Sequence, residues 1–357
     1  MTLHLRGGVR AAPVPGTTPH ERAALRFVAD PPARDADPEH VVRTAREAEE
    51  AGLDSVLVTQ SATWPDPWLV AGWALAATRR LHVTVAHRVG TTAPTAAARA
   101  LATLDRLSAG RAGVHVIIGS SDADLRRDGD FLPKAERYRR ADEYLAVFTR
   151  TLSAREPFDF DGEFYRVREA WSGLRAVRRP RPELSFGGSS HDGVALAGRY
   201  ADVYGLAIRP YQETATLVAR ARAEAASHGR ELRFWRHGTY VLAASEQQAR
   251  ARAEDIVARA RAHAEREGPE AFAGSVQVLR DREATGGVAD PDDVAVRVRA
   301  NLDAAFVGTP ESAAAAALRF HHLGIDILQV STPLESEEDR ALHRELIARL
   351  RAGAAAG

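Results

Sequence analysis

The chain has no cysteine, one methionine and a single lysine, Lys134, among 357 residues. The lack of cysteine excludes disulfides, thiol nucleophiles and thiolate metal sites. Net charge is absent too, since 48 basic residues face 48 acidic ones. No domain-wide basic surface follows from that balance, so nucleic acid is not an expected partner. No apolar run approaches the length of a membrane span. The first 24 residues lack the apolar core of a secretory signal, and the expectation is a cytoplasmic protein. Three catalytic signatures are also missing. The 13 histidines form no His-Glu-x-x-His spacing, so no metal site is expected. No Gly-x-Ser-x-Gly elbow marks a hydrolase, and no Gly-x-Gly-x-x-Gly follows the first strand.

What is present is a chain that is 45% hydrophobic, enough for two domains or one large α/β barrel. Residues 1–24, rich in Pro, Gly and Thr, read as a flexible arm. Beyond them, short β-branched runs alternate with helical patterns. Predicted strands cover 25–29, 55–59, 82–87, 113–118, 184–186, 202–206, 232–243 and 326–330. Asp37-Pro38 opens a well-capped helix that stops at Gly52. Eight strands alternating with helices predict a (β/α)8 barrel over residues 25–357, with a doubly wound sheet as the alternative. Two insertions interrupt the alternation. Residues 154–183 carry a β-hairpin pattern, and residues 266–300 have the polar, Gly-containing composition of a lid. His321 and His322 end a helix that begins at Glu311 and read as surface residues. Asp105 to Arg111 reads as a helix end with an ion pair fixing a loop at the amino end of a strand, a stability feature.

The stretch Leu184-Ser185-Phe186-Gly187-Gly188-Ser189-Ser190 is the most informative. It reads as a buried strand ending at two glycines and opening into a helix. Free amides, the helix dipole, close backbone approach at Gly188 and the hydroxyls of Ser189 and Ser190 would hold a phosphate. The same letters also suit a plain strand–helix turn with a serine N-cap. Ser120 follows the fourth predicted strand and Tyr138 begins the next long helix, so both are placed to join that anion. Alternatively, one is a loop serine and the other a packing tyrosine.

With these pieces placed, the chain resembles the bacterial luciferase-like superfamily of flavin-dependent oxidoreductases, most of all its alkanesulfonate monooxygenase branch. Ala51-Gly52-Leu53-Asp54-Ser55-Val56-Leu57, Trp68-Leu69-Val70-Ala71, Ala93-Pro94-Thr95 and Ala102 to Ser108 carry the resemblance. Asp128-Gly129, Glu136-Arg137-Tyr138, Phe186 to Ser190 and Gly324-Ile325-Asp326 continue it in the family's order. The resemblance implies a homodimer or homotetramer. It also implies reduced FMN supplied by a separate flavin reductase, and a flavin C4a-(hydro)peroxide formed with O2 that oxidises a small or medium organic substrate. In the family, the residues matching Ser120, Tyr138, Ser189 and Ser190 grip the flavin phosphate.

The departures bear on substrate. The family's loop Cys after strand two is matched here by Trp64. Its strand-seven Arg and His are matched by His237 and Thr239, and its C-terminal Tyr falls near Pro333. Arg299, beside the predicted lid, is the counterpart of a lid Arg. His237 is therefore the candidate for proton chemistry near the flavin, sharing a strand face with Thr239. Arg299 is the candidate clamp, Trp64 and Thr239 the candidate substrate contacts, and His87, at the end of strand three, a candidate flavin contact. Each also has a bland role: a satisfied structural His, a solvated Arg, or packing. An anion pocket without the Arg and His has lost most of its sulfonate grip. Three alternatives to the monooxygenase reading stand beside it: a deazaflavin-dependent dehydrogenase of the same superfamily, an alkanesulfonate desulfonating enzyme, and a non-catalytic flavin-binding paralogue.

Overall fold

The computed structural model describes residues 2–14, 35–119, 122–188, 190–206, 208–267, 305–331 and 336–356. Its strands are β1 (His4–Val9), β2 (Ser55–Val58), β3 (His82–Arg88), β4 (Ala112–Ile117), β5 (Phe158–Asp161), β6 (Arg166–Ala170), β7 (Glu183–Gly187), β8 (Val203–Leu206), β9 (Arg233–Arg236), β10 (Tyr240–Leu242), β11 (Phe306–Gly308) and β12 (Ile327–Gln329). Eight of them close a parallel barrel in the order β1-β12-β9-β8-β7-β4-β3-β2. The helices are α1 (Pro38–Glu50), α2 (Pro67–Ala77), α3 (Pro94–Leu107), α4 (Asp122–Arg127), α5 (Lys134–Ser153), α6 (His191–Tyr200), α7 (Tyr211–Ser227), α8 (Glu246–Glu267), α9 (Pro310–His322) and α10 (Glu337–Ala356). This is the predicted (β/α)8 barrel. None of the described helices is long and apolar enough to cross a membrane.

The barrel starts earlier than the sequence pattern suggests. His4–Val9, read as part of an arm, is the strand that closes the barrel, pairing with β2 on one edge and β12 on the other. Two glycines hid its β pattern. Gly7 is there for packing, since a Cβ on it would fall 2.7 Å from Leu53 Cδ1. The strand predicted at 25–29 lies outside the described residues. The run 232–243 is not one strand but two. β9 stays in the barrel, while β10 leaves it to pair with β11. Gly238 marks the break, and a Cβ there would meet the Gln329 carbonyl at 2.7 Å. The predicted hairpin forms as the antiparallel pair β5–β6, while the predicted lid lies almost entirely outside the described residues.

Inside the barrel, alternate residues from facing strands form a small apolar layer of Leu57, Ala86, Val203, Trp235 and Ile327. The larger core lies between the sheet and the helices and includes Val56, Val83, Leu101, Ala141, Phe148 and Leu346. Helix starts obey their capping signals: Asp37 accepts from the His40 amide at the start of α1, and Asp66 from the Trp68 and Leu69 amides at the start of α2. His321 is not on the surface. It is buried, with Nδ1 bonded to the Ile325 carbonyl at 2.8 Å, because α9 turns this face inward.

Asp105 and Arg111 do stabilise an αβ loop, but not by pairing with each other. Buried Asp105 accepts from the Val177 and Arg178 amides. Arg111 donates to the carbonyls of Leu75, Leu81 and Ser108 and to the Thr78 hydroxyl, at 2.9–3.1 Å. Charge-assisted bonds to partly exposed partners keep a fraction of their nominal strength. Arg111→Ala is therefore expected to lower stability by roughly 2–4 kcal/mol. A urea titration measures this, and a change within 0.5 kcal/mol, the scatter of ordinary surface substitutions, would show that the Arg111 bonds contribute little.

Candidate active site

Of the sequence-predicted residues that the structure describes, His87, Gly188 and Ser190 lie at or just beyond the carboxyl ends of barrel strands, where barrels hold their ligands. β7 ends at Gly187, and α6 begins four residues later, at His191. Ser190 is the N-cap of α6: its Oγ accepts from the Gly193 amide at 3.1 Å. The capping role is therefore real, and the hydroxyl does something more. It donates to the Tyr138 hydroxyl at 2.9 Å, joining the first turn of α6 to the first turn of α5. Having accepted that bond, the Tyr138 hydroxyl keeps its own proton to donate. Between them lies Gly188, at φ +153. A Cβ there would stand 3.2 Å from Tyr138 Oη, so a larger residue would crowd the hydroxyl. The Gly188 carbonyl is held by the Tyr204 hydroxyl, a contact that nothing in the sequence pattern announces. Gly193 completes the turn, since a Cβ on it would fall 2.7 Å from that same carbonyl. Gly188, Ser190 and Tyr138 thus meet as predicted, while Ser120 and Ser189 lie outside the described residues.

His87 stands at the carboxyl end of β3 but is buried and fully engaged. Trp68 Nε1–H can only donate, and it reaches His87 Nδ1 at 3.3 Å. The ring proton therefore sits on Nε2, which meets the Tyr144 hydroxyl at 2.5 Å. Burial lowers the His87 pKa to about 4. Tyr144, from α5, had no sequence signal beyond its helical spacing.

His237 follows β9 in the bend before β10, so His237 and Thr239 do not share a strand face. Gly238 breaks the strand between them, and Thr239 instead bridges to Ser331. The His237 ring lies 4.5 Å, centroid to centroid, from Trp235. His115, on β4, meets the same indole edge-on at 4.9 Å. Its Nδ1 lies 2.9 Å from Ser185 Oγ. Its Nε2 packs against the backbone of Gly187, where a Cβ would stand only 3.0 Å away. A Cβ on Gly205 would fall 2.8 Å from Trp235. Glycines at 187, 188 and 205 therefore let His115, Trp235 and Tyr138 pack directly against the backbone. Burial, then the Arg6 and Arg236 guanidiniums, push His237 down to about 4. Burial, Arg6 and His237 push His115 to about 3. Sequence reasoning missed His115, although a histidine in an otherwise apolar strand was a readable signal.

Trp64 packs beside Val58, Pro65 and Val70 in a narrow apolar cavity between the ends of β1 and β2, with the Arg10 guanidinium 6.0 Å above its ring. Two bonds from Asp124, accepting from the Ser61 hydroxyl and the Ala62 amide, tie this loop to α4. Arg299 lies outside the described residues, as does Pro333. Among the described residues no group of three His, Asp or Glu side chains is placed to hold a metal ion.

Comparison with known proteins agrees with this geometry. The model of the luciferase-like monooxygenase family matches residues 16–326, and the chain belongs to that family. Among solved structures, a riboflavin lyase (RcaE) with modified FMN and riboflavin is 19% identical, with a TM-score of 0.78 over 99% of this chain and 92% of that one. The EDTA monooxygenase EmoA from Chelativorans sp. BNC1 is 17% identical, with a TM-score of 0.73 over 99% and 95%. An F420-dependent secondary alcohol dehydrogenase is 17% identical, with a TM-score of 0.72 over 98% and 100%. At these identities the likeness is one of fold.

The imidazoles of buried His87 and His115 and of half-buried His237 make acid sensitivity measurable. Each has a folded pKa below its unfolded value, so the unfolded chain takes up the proton first. Their contribution is fully present above about pH 6.5 and is lost as pH falls toward 4. For His87 alone the loss is on the order of 3 kcal/mol. Tm measured from pH 7 to pH 4 is expected to fall steeply below 6.5. A flat profile would contradict the neutral, buried assignment.

Proposed function

We propose that the chain is the oxygenase of a two-component system, taking reduced FMN from a separate flavin reductase and using O2 to oxidise a small or medium organic substrate. The observation that carries this reading is the meeting of Tyr138, Ser190 and Gly188 at the start of α6. That arrangement offers a hydroxyl donor, helix amides and an open backbone to one terminal phosphate. Ser120 and Ser189 join it by their place in the chain. Reduced FMN, when bound, supplies the electrons that activate O2. The residues of the chain do the rest. The ring would occupy the space beyond the strand ends at Gly187, Gly188 and Gly205, which present backbone alone. His115 Nε2 and neutral His237 face that space as hydrogen-bonding groups, and neutral His237 is placed to accept a proton near it. Trp64 and Val58 wall the substrate side with apolar surface. His87, with both nitrogens engaged, holds Trp68 and Tyr144 at the edge of the site. Arg299 is retained as a substrate clamp on sequence grounds. The oxygenase is expected to act as a homodimer or homotetramer in the cytoplasm.

The F420-dependent neighbour supports a second reading, a deazaflavin-dependent dehydrogenase. Binding and turnover separate the two. Tyr138→Phe removes one charge-assisted bond without touching the helix cap, and should weaken reduced FMN binding by about 1.5–3 kcal/mol, roughly 10- to 150-fold. Anaerobic titration followed by O2 addition should then give substrate oxidation in the wild type. FMN affinity unchanged by Tyr138→Phe would remove the cradle. Turnover with a reduced or oxidised deazaflavin and without O2 would favour the dehydrogenase. Flavin binding without any O2-coupled product would leave a non-catalytic paralogue.

The substrate is expected to carry an apolar body and at most one anionic or polar handle. A sulfonate needs two strong donors or cations, because a buried unpaired anion costs several kcal/mol. His237 is neutral and Thr239 lies off the barrel, so simple alkanesulfonates are expected to be poor substrates. Sulfite release from a series of short- to medium-chain sulfonates is the check. Efficient release that survives Arg299→Ala would show the anion site to be elsewhere and would favour desulfonation.

A further inference from the structure

The opposite end of the barrel holds a cavity of about 430 Å³, lined by the strand starts and by Arg6, Arg80, Arg178, Arg233, Glu49 and Glu183. We propose that this amino-end mouth is a second binding site, for a phosphate-type dianion such as the phosphate group of a small metabolite. The reading is independent of the flavin assignment. Three observations carry it.

The first is a charge imbalance. Glu183 accepts from Arg6 at 3.5 Å and also from Arg233. Arg178 acts on the same carboxylate, and all three guanidiniums hold it below its ordinary range despite its burial. The other two carboxylates at this mouth are committed. Glu49 accepts from the Arg79, Arg80 and Leu81 amides at 2.6–3.0 Å. Asp54 accepts from the Leu5 amide and from Arg351. One shared carboxylate thus serves three guanidiniums, Glu49 is the counter-charge that acts on Arg80 from a distance, and neither Arg80 nor Arg178 makes a close ion pair among the described residues. The histidines of this mouth add no anion. Of them, His82 is held below its usual value by burial, then Arg178.

The second observation is Arg6 itself. It is 1% exposed and sits beneath Trp235, its guanidinium carbon 4.8 Å from the ring centroid. Nε donates to Ser55 and Nη2 to Glu183, but Nη1 has no partner. A buried guanidinium with an unmade bond is costly unless something else neutralises it.

The third is shape. A carboxylate is planar and satisfies one guanidinium fork. A tetrahedral dianion presents oxygens in several directions and can take bonds from Arg233 inside and from Arg178 and Arg80 at the rim. The volume suits a small phosphorylated molecule. A basic barrel floor serving stability alone is the competing account, and it predicts no ligand.

Calorimetric titration of inorganic phosphate at low ionic strength tests the proposal. The starting protein is the Tyr138→Phe, Ser190→Ala variant, so that binding at the flavin end does not contribute. Saturable binding is expected, weakened at least tenfold by Arg80→Gln with Arg178→Gln. Those rim positions are exposed, and circular dichroism checks that the variant folds. No saturable binding in the starting protein, or binding unchanged by the rim substitutions, would overturn the proposal. Loss of reduced FMN binding in Tyr138→Phe alone, with phosphate still bound at the amino end, would separate the two sites.

Discussion

Closure of the barrel by β1 is the constraint on which the rest depends. Its six residues pair with β12 through His4–Arg6 and with β2 through Arg6–Val9. Strand ends then converge at two mouths instead of lying along an open sheet edge. Arg6 is the residue through which this closure reaches the interior. From β1 it bonds Ser55 on β2 and Glu183 on β7, across the barrel, and lies under Trp235 of β9. A long cation at this point fills the axis of the barrel and gives its interior a fixed positive charge.

That charge explains the state of the carboxyl-end mouth. His115 and His237 flank Trp235 and feel both burial and Arg6. They stay neutral, able to accept a proton but not to serve as fixed cations. An uncharged polar floor beside glycines suits a large planar ring better than a small anion. Negative charge is directed instead to the rim, where α6 begins and Tyr138 meets Ser190. On the proposed reading two tasks are separated by distance: anion recognition at a helix start, and polar but neutral contacts in the centre.

Much of this was legible from the letters alone. Alternation of β-branched runs with capped helices specifies a barrel, because each buried parallel strand needs a helix to cover it. The Gly-Gly-Ser-Ser turn is legible because few residue types tolerate its geometry. Tyr138 was legible from its place at the start of the next long helix and again through family resemblance. Three things were not. β1 carries two glycines, of which Gly7 is demanded by Leu53, and together they erase its β signature. The strand run from 232 to 243 conceals a break at Gly238 that only the approach of Gln329 explains. Contacts made across the fold, such as Tyr204 with the Gly188 carbonyl and Tyr144 with His87, join residues whose sequence separation carries no local pattern. Arg6 was hidden for the same reason, since its partners lie 49 and 177 residues away.

A crystal structure of the protein soaked with FMN tests the central claim most directly. The account predicts the terminal phosphate within hydrogen-bond distance of the Tyr138 hydroxyl and the first amides of α6, with the ring over Gly187 and Gly205. Phosphate density at any other strand end, with Tyr138 and Ser190 making no contact to it, would contradict the account.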